Sequence, residues 1–154
     1  MAVMTGHETI VKTKTSEIKK IDRVFSTRQV TMWDFLINNP YQTRGVMVKS
    51  NVQQRFPNDM YHSEDYYLWS EISHYSDNQC YLSNLVLAFS FKDDFGVGGL
   101  SGNLLKMERG ELMVITNICK INKVPFLLKY VIYLWSLLKF LIRVMRSLNK
   151  VRQS

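Results

Sequence analysis

The chain lacks the motifs that mark the common hydrolases and zinc-binding domains. It has no Gly-x-Ser-x-Gly, no His-Glu-x-x-His and no Cys-x-x-Cys sequence, so neither a serine hydrolase nor a zinc site of these types has support. Its two cysteines, Cys80 and Cys119, stand far apart in apolar surroundings. We therefore expect buried thiols in a reducing compartment rather than a disulfide or a thiol nucleophile.

The segment 120–154 lacks acidic side chains. It holds eight basic residues, whereas residues 1–119 hold 12 basic and 13 acidic ones, so the net charge of +7 belongs to this segment. The basic residues are Lys120, Lys123, Lys129, Lys139, Arg143, Arg146, Lys150 and Arg152. Because they fall on a predicted helix with an apolar back, a nucleic-acid partner is disfavoured. No basic segment followed by an apolar run opens the chain, so we expect no secretory signal and a cytosolic location.

Hydrophobic periodicity and turn residues predict an α/β chain without repeats. The polar segment 1–20 carries no glycine-rich phosphate turn, and we predict no element there. The predicted elements are a helix at 32–37 with a capping box of Thr31 and Asp34, a buried strand at 45–48, a helical turn between Ser50 and Pro57, a helix after Ser63, a strand at 79–91, a helix at about 103–121 strained at Gly110, and a helix from Pro125 onward.

Two adjacent carboxylates, Glu64 and Asp65, fall in the first turn of the helix that follows Ser63, a residue type that often caps helices. Asp65 shares a helical face with Leu68 and Trp69, so we expect it to point inward. A carboxylate at a helix N-terminus is held ionised by the helix dipole, where it can act as a general base or a metal ligand. For Glu64, the ordinary preference of acidic residues for a first turn is an equally good explanation.

The motifs around this pair resemble those of family 2 glycosyltransferases, inverting enzymes with a GT-A fold that make bacterial polysaccharides. Glu64-Asp65, followed by Tyr66 and Leu68-Trp69, resembles the Glu-Asp segment of that family. The Asn-rich turn and strand at 38–49, the strand at 85–89 and the glycine-rich loop at 98–102 follow the family's order. The resemblance thus covers about residues 30–150.

The resemblance implies transfer of a sugar from a nucleotide-sugar donor to a hydroxyl of a saccharide or lipid-linked acceptor. Asp65 would be the general base, and Glu64 would hold Asp65 or the acceptor in place. Substrate binding would fall to Thr43, Arg44, Trp69, Lys92, Gly98, Gly99 and Ser101. Lys92 replaces the basic residue of the family's usual Tyr-Arg pair. The glycine-rich loop either orders over the pyrophosphate or is only a flexible connection.

The Asp-x-Asp metal motif of that family is missing from this sequence. The resemblance therefore implies that residues 1–122 are the C-terminal, acceptor-side part of a Rossmann-like GT-A domain. The nucleotide and a divalent metal, Mg²⁺ or Mn²⁺, would then be bound by a missing N-terminal half. The competing hypothesis is a non-catalytic, membrane-associated interaction module or a degenerate remnant.

The segment 123–154 predicts a basic amphipathic helix. Lys129, Ser136, Lys139, Arg143, Arg146, Ser147 and Lys150 fall within an arc of roughly 100°. We expect peripheral binding at the cytoplasmic face of a membrane, with this arc on anionic headgroups and the apolar side in the acyl boundary. A spanning helix is the alternative, because about 19 apolar residues nearly suffice. Packing of the apolar side on the protein body is disfavoured, since the apolar arc is too wide.

Overall fold

The computed structural model describes residues 2–11, 25–76, 79–90 and 103–153. Within these ranges the chain forms an α/β fold with one mixed sheet of four strands and four helices. The strands are β1 (Met4–Val11), β2 (Thr27–Val30), β3 (Val46–Val48) and β4 (Cys80–Ser90). The helices are α1 (Met32–Ile37), α2 (Glu64–Tyr75), α3 (Leu104–Ile121) and α4 (Phe126–Gln153), with a 3-10 turn at Thr43–Gly45. The predicted α/β class is confirmed.

The sheet has the strand order β2-β4-β1-β3. The inner strands β1 and β4 are parallel, with Met4 opposite Cys80, and each outer strand is antiparallel to its neighbour. Strand β4 matches its prediction, but β1 lies in the segment 1–20 where we predicted no element. The polar composition of this segment did not indicate a strand, but Met4 and Gly6 are buried against the rest of the fold.

Strand β1 is held against the segment between α1 and the 3-10 turn by a close approach at Gly6. The ring of Tyr41 occupies the space that a Cβ atom at Gly6 would need. The Tyr41 hydroxyl also donates to the backbone carbonyl of Tyr81 at 3.2 Å. A residue other than glycine at position 6 would therefore push the aromatic ring away from the sheet.

Strand β3 was predicted as buried, and this prediction is wrong. Within the described part of the chain the strand pairs only with β1, at the edge of the sheet, and Met47 and Val48 are exposed. The helical turn predicted before Pro57 is also wrong, because the chain makes a turn at 50–51 and then runs irregularly to residue 56. Short apolar runs do not reveal which side of a sheet will be covered.

The cap predicted for α1 is confirmed. The Asp34 carboxylate accepts hydrogen bonds from the backbone N–H and the hydroxyl of Thr31, at 2.8 and 2.9 Å. Burial opposes ionisation of Asp34, but these bonds and the Arg28 guanidinium hold its pKa below the ordinary value. The helix then ends at Asn38, as predicted.

The turn between α3 and α4 is a Schellman motif, which sets the direction of α4. The Val124 N–H donates to the Cys119 carbonyl at 2.9 Å, and the Lys123 N–H donates to the Lys120 carbonyl at 3.3 Å. Lys123 has the left-handed conformation, with φ 51°. This turn, followed by Pro125, sends α4 back along α3, so the two helices are antiparallel neighbours.

Candidate active site

Helix α2 begins with an unusual backbone conformation. Ser63, which we predicted as a side-chain cap, has φ 59° and ψ 22° and makes no capping hydrogen bond. A cap residue normally has an extended backbone that aims its hydroxyl at the first turn, and the left-handed conformation prevents this. The Ser63 hydroxyl instead donates to the Met107 carbonyl of α3 at 3.3 Å. The prediction of capping by Ser63 is therefore wrong.

Asp65 lies at the N-terminal end of α2, half-buried, while Leu68 and Trp69 on the same face are buried. Its carboxylate accepts a hydrogen bond from the Thr43 hydroxyl and another from the Tyr66 N–H at 2.7 Å. One side chain from the 3-10 turn is thus brought to the first turn of α2, although the two residues lie 22 positions apart. The result is an oriented carboxylate that remains partly open to solvent.

The other predicted site residues near α2 have different environments. Glu64 is half-buried in the first position of α2, and Arg44 is exposed in the 3-10 turn. Trp69 is buried, with its ring edge-on to Phe56 at 6.1 Å between centroids. That burial leaves the Trp69 ring without an open face for a sugar, so we assign it to the support of α2.

The remaining predicted site residues are one lysine and three residues of the glycine-rich loop. Lys92, Gly98, Gly99 and Ser101 lie outside the described residues. Their roles, including the lid role of the glycine-rich loop, stay predictions. The structure therefore brings Thr43 to Asp65 and places Arg44 and Glu64 in the same part of the fold.

Helix α3 supports the N-terminal end of α2 through Gly110. A Cβ atom at this position would collide with the backbone carbonyl oxygen of His62, and would lie 3.0 Å from the Ser63 hydroxyl oxygen. Gly110 was predicted as a strained position, but its role is to let α3 approach the chain just before α2. The position of Asp65 thus depends on the packing of α3.

Helix α4 packs on the protein with the side that carries Ile132 and part of the predicted polar arc, although we predicted that this arc would face a membrane. Ser136 is completely buried, and its hydroxyl donates to the Glu108 carboxylate of α3 at 3.0 Å. Lys139 and Arg143, which we expected on anionic headgroups, face the protein instead. Two carboxylates on α3 draw the polar arc inward, because a buried acid needs a cation and hydrogen-bond donors.

The contacts between α3 and α4 form a cluster of two acids and two bases. Arg143 contacts Glu108 at 2.6 Å and Glu111 at 2.9 Å, and the Lys139 ammonium contacts Glu111 at 2.5 Å. Burial raises the pKa of Glu108 above its ordinary value, against the opposing effects of Ser136 and Arg143. Lys139 also donates to the Ile37 carbonyl at 2.8 Å, which ties α4 to the end of α1.

The apolar side of α4 consequently faces outward. Its exposed large residues are Phe126, Leu127, Tyr130, Val131, Leu134, Trp135, Leu137, Leu138, Leu141, Ile142, Met145 and Leu148. An exposed apolar surface of this length is typical of an interaction site. None of the helices in the described ranges has an apolar stretch long enough to cross a bilayer. The division into residues 1–122 and 123–154 stays a prediction.

A groove of about 910 Å³ lies between α3, α4 and the segment 57–60. Apolar side chains dominate its lining, among them Leu112, Met113, Leu134 and Leu137. It is continuous with the outward side of α4, because Leu134 and Leu137 belong to both. Its volume is within the usual range for small-molecule sites. Sequence reasoning missed this groove, since helix pairing creates it.

The cysteines and the acidic residues supply little further chemistry. Cys80 and Cys119 are buried, and burial raises the pKa of both thiols, so they favour the protonated form. In the described part of the chain, no three His, Cys, Asp or Glu side chains lie together as a metal site requires. The expected divalent metal of a full enzyme stays a prediction.

The pairing of the acidic residues of α3 with the basic residues of α4 had a signal in the sequence. Glu108 and Glu111 are three residues apart on α3, and Lys139 and Arg143 are four apart on α4. Spacings of three and four place each pair on one helical face. A short turn between the helices makes them antiparallel neighbours, so complementary charges could have predicted which faces meet. The contact between Thr43 and Asp65 had no such signal.

Comparison of the chain with protein-family models, curated proteins and solved structures gives no match. The candidate function therefore follows from the geometry of the site itself. The site has two parts. One is the N-terminal end of α2 with Asp65 and Thr43, and the other is the outward apolar surface of α4 with its groove.

Proposed function

We propose that this chain is the acceptor-side part of an inverting glycosyltransferase, with Asp65 as the general base. The observation that carries the proposal is the oriented carboxylate at the start of α2, held by Thr43 and left partly open to solvent. A general base must reach a bound hydroxyl with one oxygen while other contacts fix its direction. Glu64, in the preceding position, would hold Asp65 or the acceptor in place.

In this reaction the acceptor hydroxyl would bind beside Asp65 and attack the anomeric carbon of the donor sugar. The new bond forms between the acceptor oxygen and that carbon, the bond to the nucleotide diphosphate breaks, and Asp65 takes the hydroxyl proton. A divalent cation, when bound in the complete enzyme, would neutralise the leaving diphosphate. Arg44 and Lys92 are the two basic residues that we predicted for substrate binding, and Lys92 would supply the cation of the family's Tyr-Arg pair.

Sugar transfer is the test of this proposal. Nucleotide sugars with Mg²⁺ or Mn²⁺ should give little transfer with the chain alone, because the sequence has no Asp-x-Asp. The same chain joined to the nucleotide-binding half of a family 2 glycosyltransferase should restore it. In that joined enzyme, Asp65→Asn should lower turnover by about 10²–10⁴-fold with donor affinity nearly unchanged. Wild-type turnover of Asp65→Asn would remove Asp65 from this role.

Thr43 gives a more specific test of the geometry. We had assigned it to substrate binding, but its hydroxyl contacts Asp65. Thr43→Val should lower turnover because Asp65 loses its orienting bond, whereas Thr43→Ser keeps the hydroxyl and should retain most activity. If Thr43→Val changes only the apparent affinity for substrate, direct substrate binding is the better assignment.

The second candidate is a non-catalytic, membrane-associated module, which the outward apolar side of α4 favours. We propose peripheral attachment of this side to the cytoplasmic face of a membrane in either case. Since Lys139 and Arg143 are paired with α3, the apolar contact rather than charge would dominate binding. Absence of transfer in the joined enzyme, together with membrane binding, would favour the module over the enzyme.

Vesicle binding tests the membrane proposal. Replacing three exposed residues, Leu127, Leu138 and Leu141, by Gln should lower binding at least about tenfold, because each loses apolar contact. Higher salt should weaken wild-type binding less than the triple substitution does, because Lys139 and Arg143 are paired with α3 and only exposed bases such as Arg146 are screened. Strong salt dependence with unchanged binding of the triple variant would restore our original prediction of a basic surface on anionic headgroups.

A further inference from the structure

The groove between α3 and α4 has two ends, and one of them lies nearer to the start of α2, where Asp65 is located. Hydroxyls of Thr116 and Tyr133 meet at 2.7 Å, and Ser136 meets Glu108 at 3.0 Å, so the helices are antiparallel along the groove. Arg109 precedes Gly110, the residue that packs against the chain just before α2. The Arg109 end of the groove is therefore the end nearest the start of α2.

The groove combines an apolar floor with a cation at each end. Arg109 and Lys120 both line it, and eleven residues of helix separate them by about 16 Å. Neither has an ion-pair partner among the described residues. Glu108 also lines the groove but is paired with Arg143, and Asp59 lines it from the segment 57–60. An elongated apolar surface that ends in a free guanidinium fits a hydrocarbon chain with an anionic head.

We propose that this groove binds the hydrocarbon chain of a lipid-linked acceptor, with its phosphate on Arg109. A guanidinium binds a phosphate with two parallel hydrogen bonds. Asp59 would accept hydrogen bonds from hydroxyls next to that phosphate, and the sugar would continue toward Asp65. The ligand would enter from the membrane, because Leu134 and Leu137 join the groove to the outward side of α4. The acceptor role rests on the proposed function, but binding of the amphiphile does not.

The test is calorimetric binding of dodecyl phosphate to the full chain, below the critical micelle concentration. Met113→Glu places a charge on the groove floor and should weaken binding at least about tenfold. Leu105→Glu is its matched control, because Leu105 is also exposed on α3 but does not line the groove. We expect wild-type affinity for that control. Both substituted side chains are exposed, so both variants should keep the helical circular dichroism of the wild type.

Two further variants test where the phosphate group of dodecyl phosphate binds. Arg109→Gln should weaken dodecyl phosphate about tenfold and leave the uncharged dodecyl maltoside unchanged, whereas Lys120→Gln, at the other end of the groove, should weaken dodecyl phosphate much less. Inorganic phosphate alone should bind much more weakly than dodecyl phosphate. Equal effects of Arg109→Gln and Lys120→Gln would overturn the placement of the head at the α2 end.

Three further outcomes decide the proposal. If Met113→Glu binds dodecyl phosphate as well as Leu105→Glu does, the hydrocarbon chain of the ligand does not occupy the groove and the proposal fails. If Met113→Glu weakens binding to phosphatidylglycerol vesicles as much as it weakens dodecyl phosphate, the groove takes bulk lipid rather than an acceptor. Asp65→Asn should bind dodecyl phosphate normally, so loss of transfer and loss of groove binding are separate results.

Discussion

Helices α3 and α4 are neighbours of similar amphipathic character, yet α3 buries most of its apolar side, whereas α4 buries only Ile132 from its large apolar residues in the described ranges, together with polar ones. Helix α3 buries apolar residues such as Val114, Ile115 and Ile118 in the core, and its two glutamates face α4. Helix α4 buries Ser136 and directs its bases toward those glutamates, so that most of its apolar residues stay outside. The comparison shows that an apolar majority does not decide which side of a helix is covered.

The physical reason lies in the difference between apolar and ionic contacts. Apolar burial is non-directional, and it can be satisfied by a membrane or by another protein as well as by the core. A buried carboxylate, in contrast, requires a cation or donor at short distance. Glu108 and Glu111 therefore fix the face of α4 that must meet α3. The outward apolar side remains available for the binding proposed above.

Arg143→Leu should have the largest effect on this arrangement. Among the described residues, its loss leaves Glu108 with only the Ser136 hydroxyl and Glu111 with Lys139, so the free energy of unfolding should fall by about 3 kcal/mol. The measurement is the urea midpoint. Arg146→Leu, an exposed base on the same helix, should change stability by less than about 0.5 kcal/mol. Equal small losses would show that the polar side of α4 does not face α3.

Gly110→Ala should have the next largest effect and concerns the other side of α3. Alanine favours a helix over glycine by about 1 kcal/mol, but the new methyl group meets the fixed His62 carbonyl. We expect a net loss of about 2 kcal/mol. Lys106→Ala is the matched control, since Lys106 is exposed on the same helix. A gain in stability would mean that α3 and the start of α2 are not in close contact.

Ser136→Ala tests the inward orientation of the polar side of α4 with a smaller expected loss of stability. The buried Glu108 carboxylate would lose a hydrogen bond, which costs about 1–2 kcal/mol. Ser147 belongs to the same predicted polar arc but is exposed, so Ser147→Ala should be nearly neutral. Thermal and urea unfolding of both variants provide the measurement, and similar losses would contradict the inward orientation of the arc.

The pH dependence of Glu108 should give the smallest effect. Its raised pKa means that the folded chain binds more protons than the unfolded chain just above pH 4.5. The contribution of Glu108 to stability should therefore increase as pH falls toward 4.5 and diminish as pH rises through the folded pKa. Position 108 is faced in both proteins compared by the same charged groups, those of Glu111, Lys139 and Arg143. The stability difference between wild type and Glu108→Gln should show this slope; a flat difference would contradict it.

Local signals predicted the elements more accurately than their surroundings. Thr31 and Asp34 determine the start of α1 through contacts within three residues, so this prediction needed no tertiary information. The spans of β4 and α3 likewise follow from alternation and helical periodicity. Strand β1 was missed because its place between β3 and β4 comes from distant pairing. Ser63 failed as a cap because α3 competes for its hydroxyl.

The candidate site divides in the same way. Its carboxylate pair at a helix N-terminus was visible in the sequence, since a first turn is a local feature. The contact with Thr43 was not visible, because a loop 22 residues away supplies it. The groove and its cations became a site only when α3 and α4 came together.

The sequence by itself determined that residues after Pro125 form a long helix with one polar arc and a wide apolar side. Helical periodicity is sufficient for that result, because side-chain positions around a helix depend only on spacing. Only the tertiary structure decided which side is covered. The antiparallel turn at Lys123 places two buried glutamates against α4, and their need for cations outweighs the apolar majority of that helix.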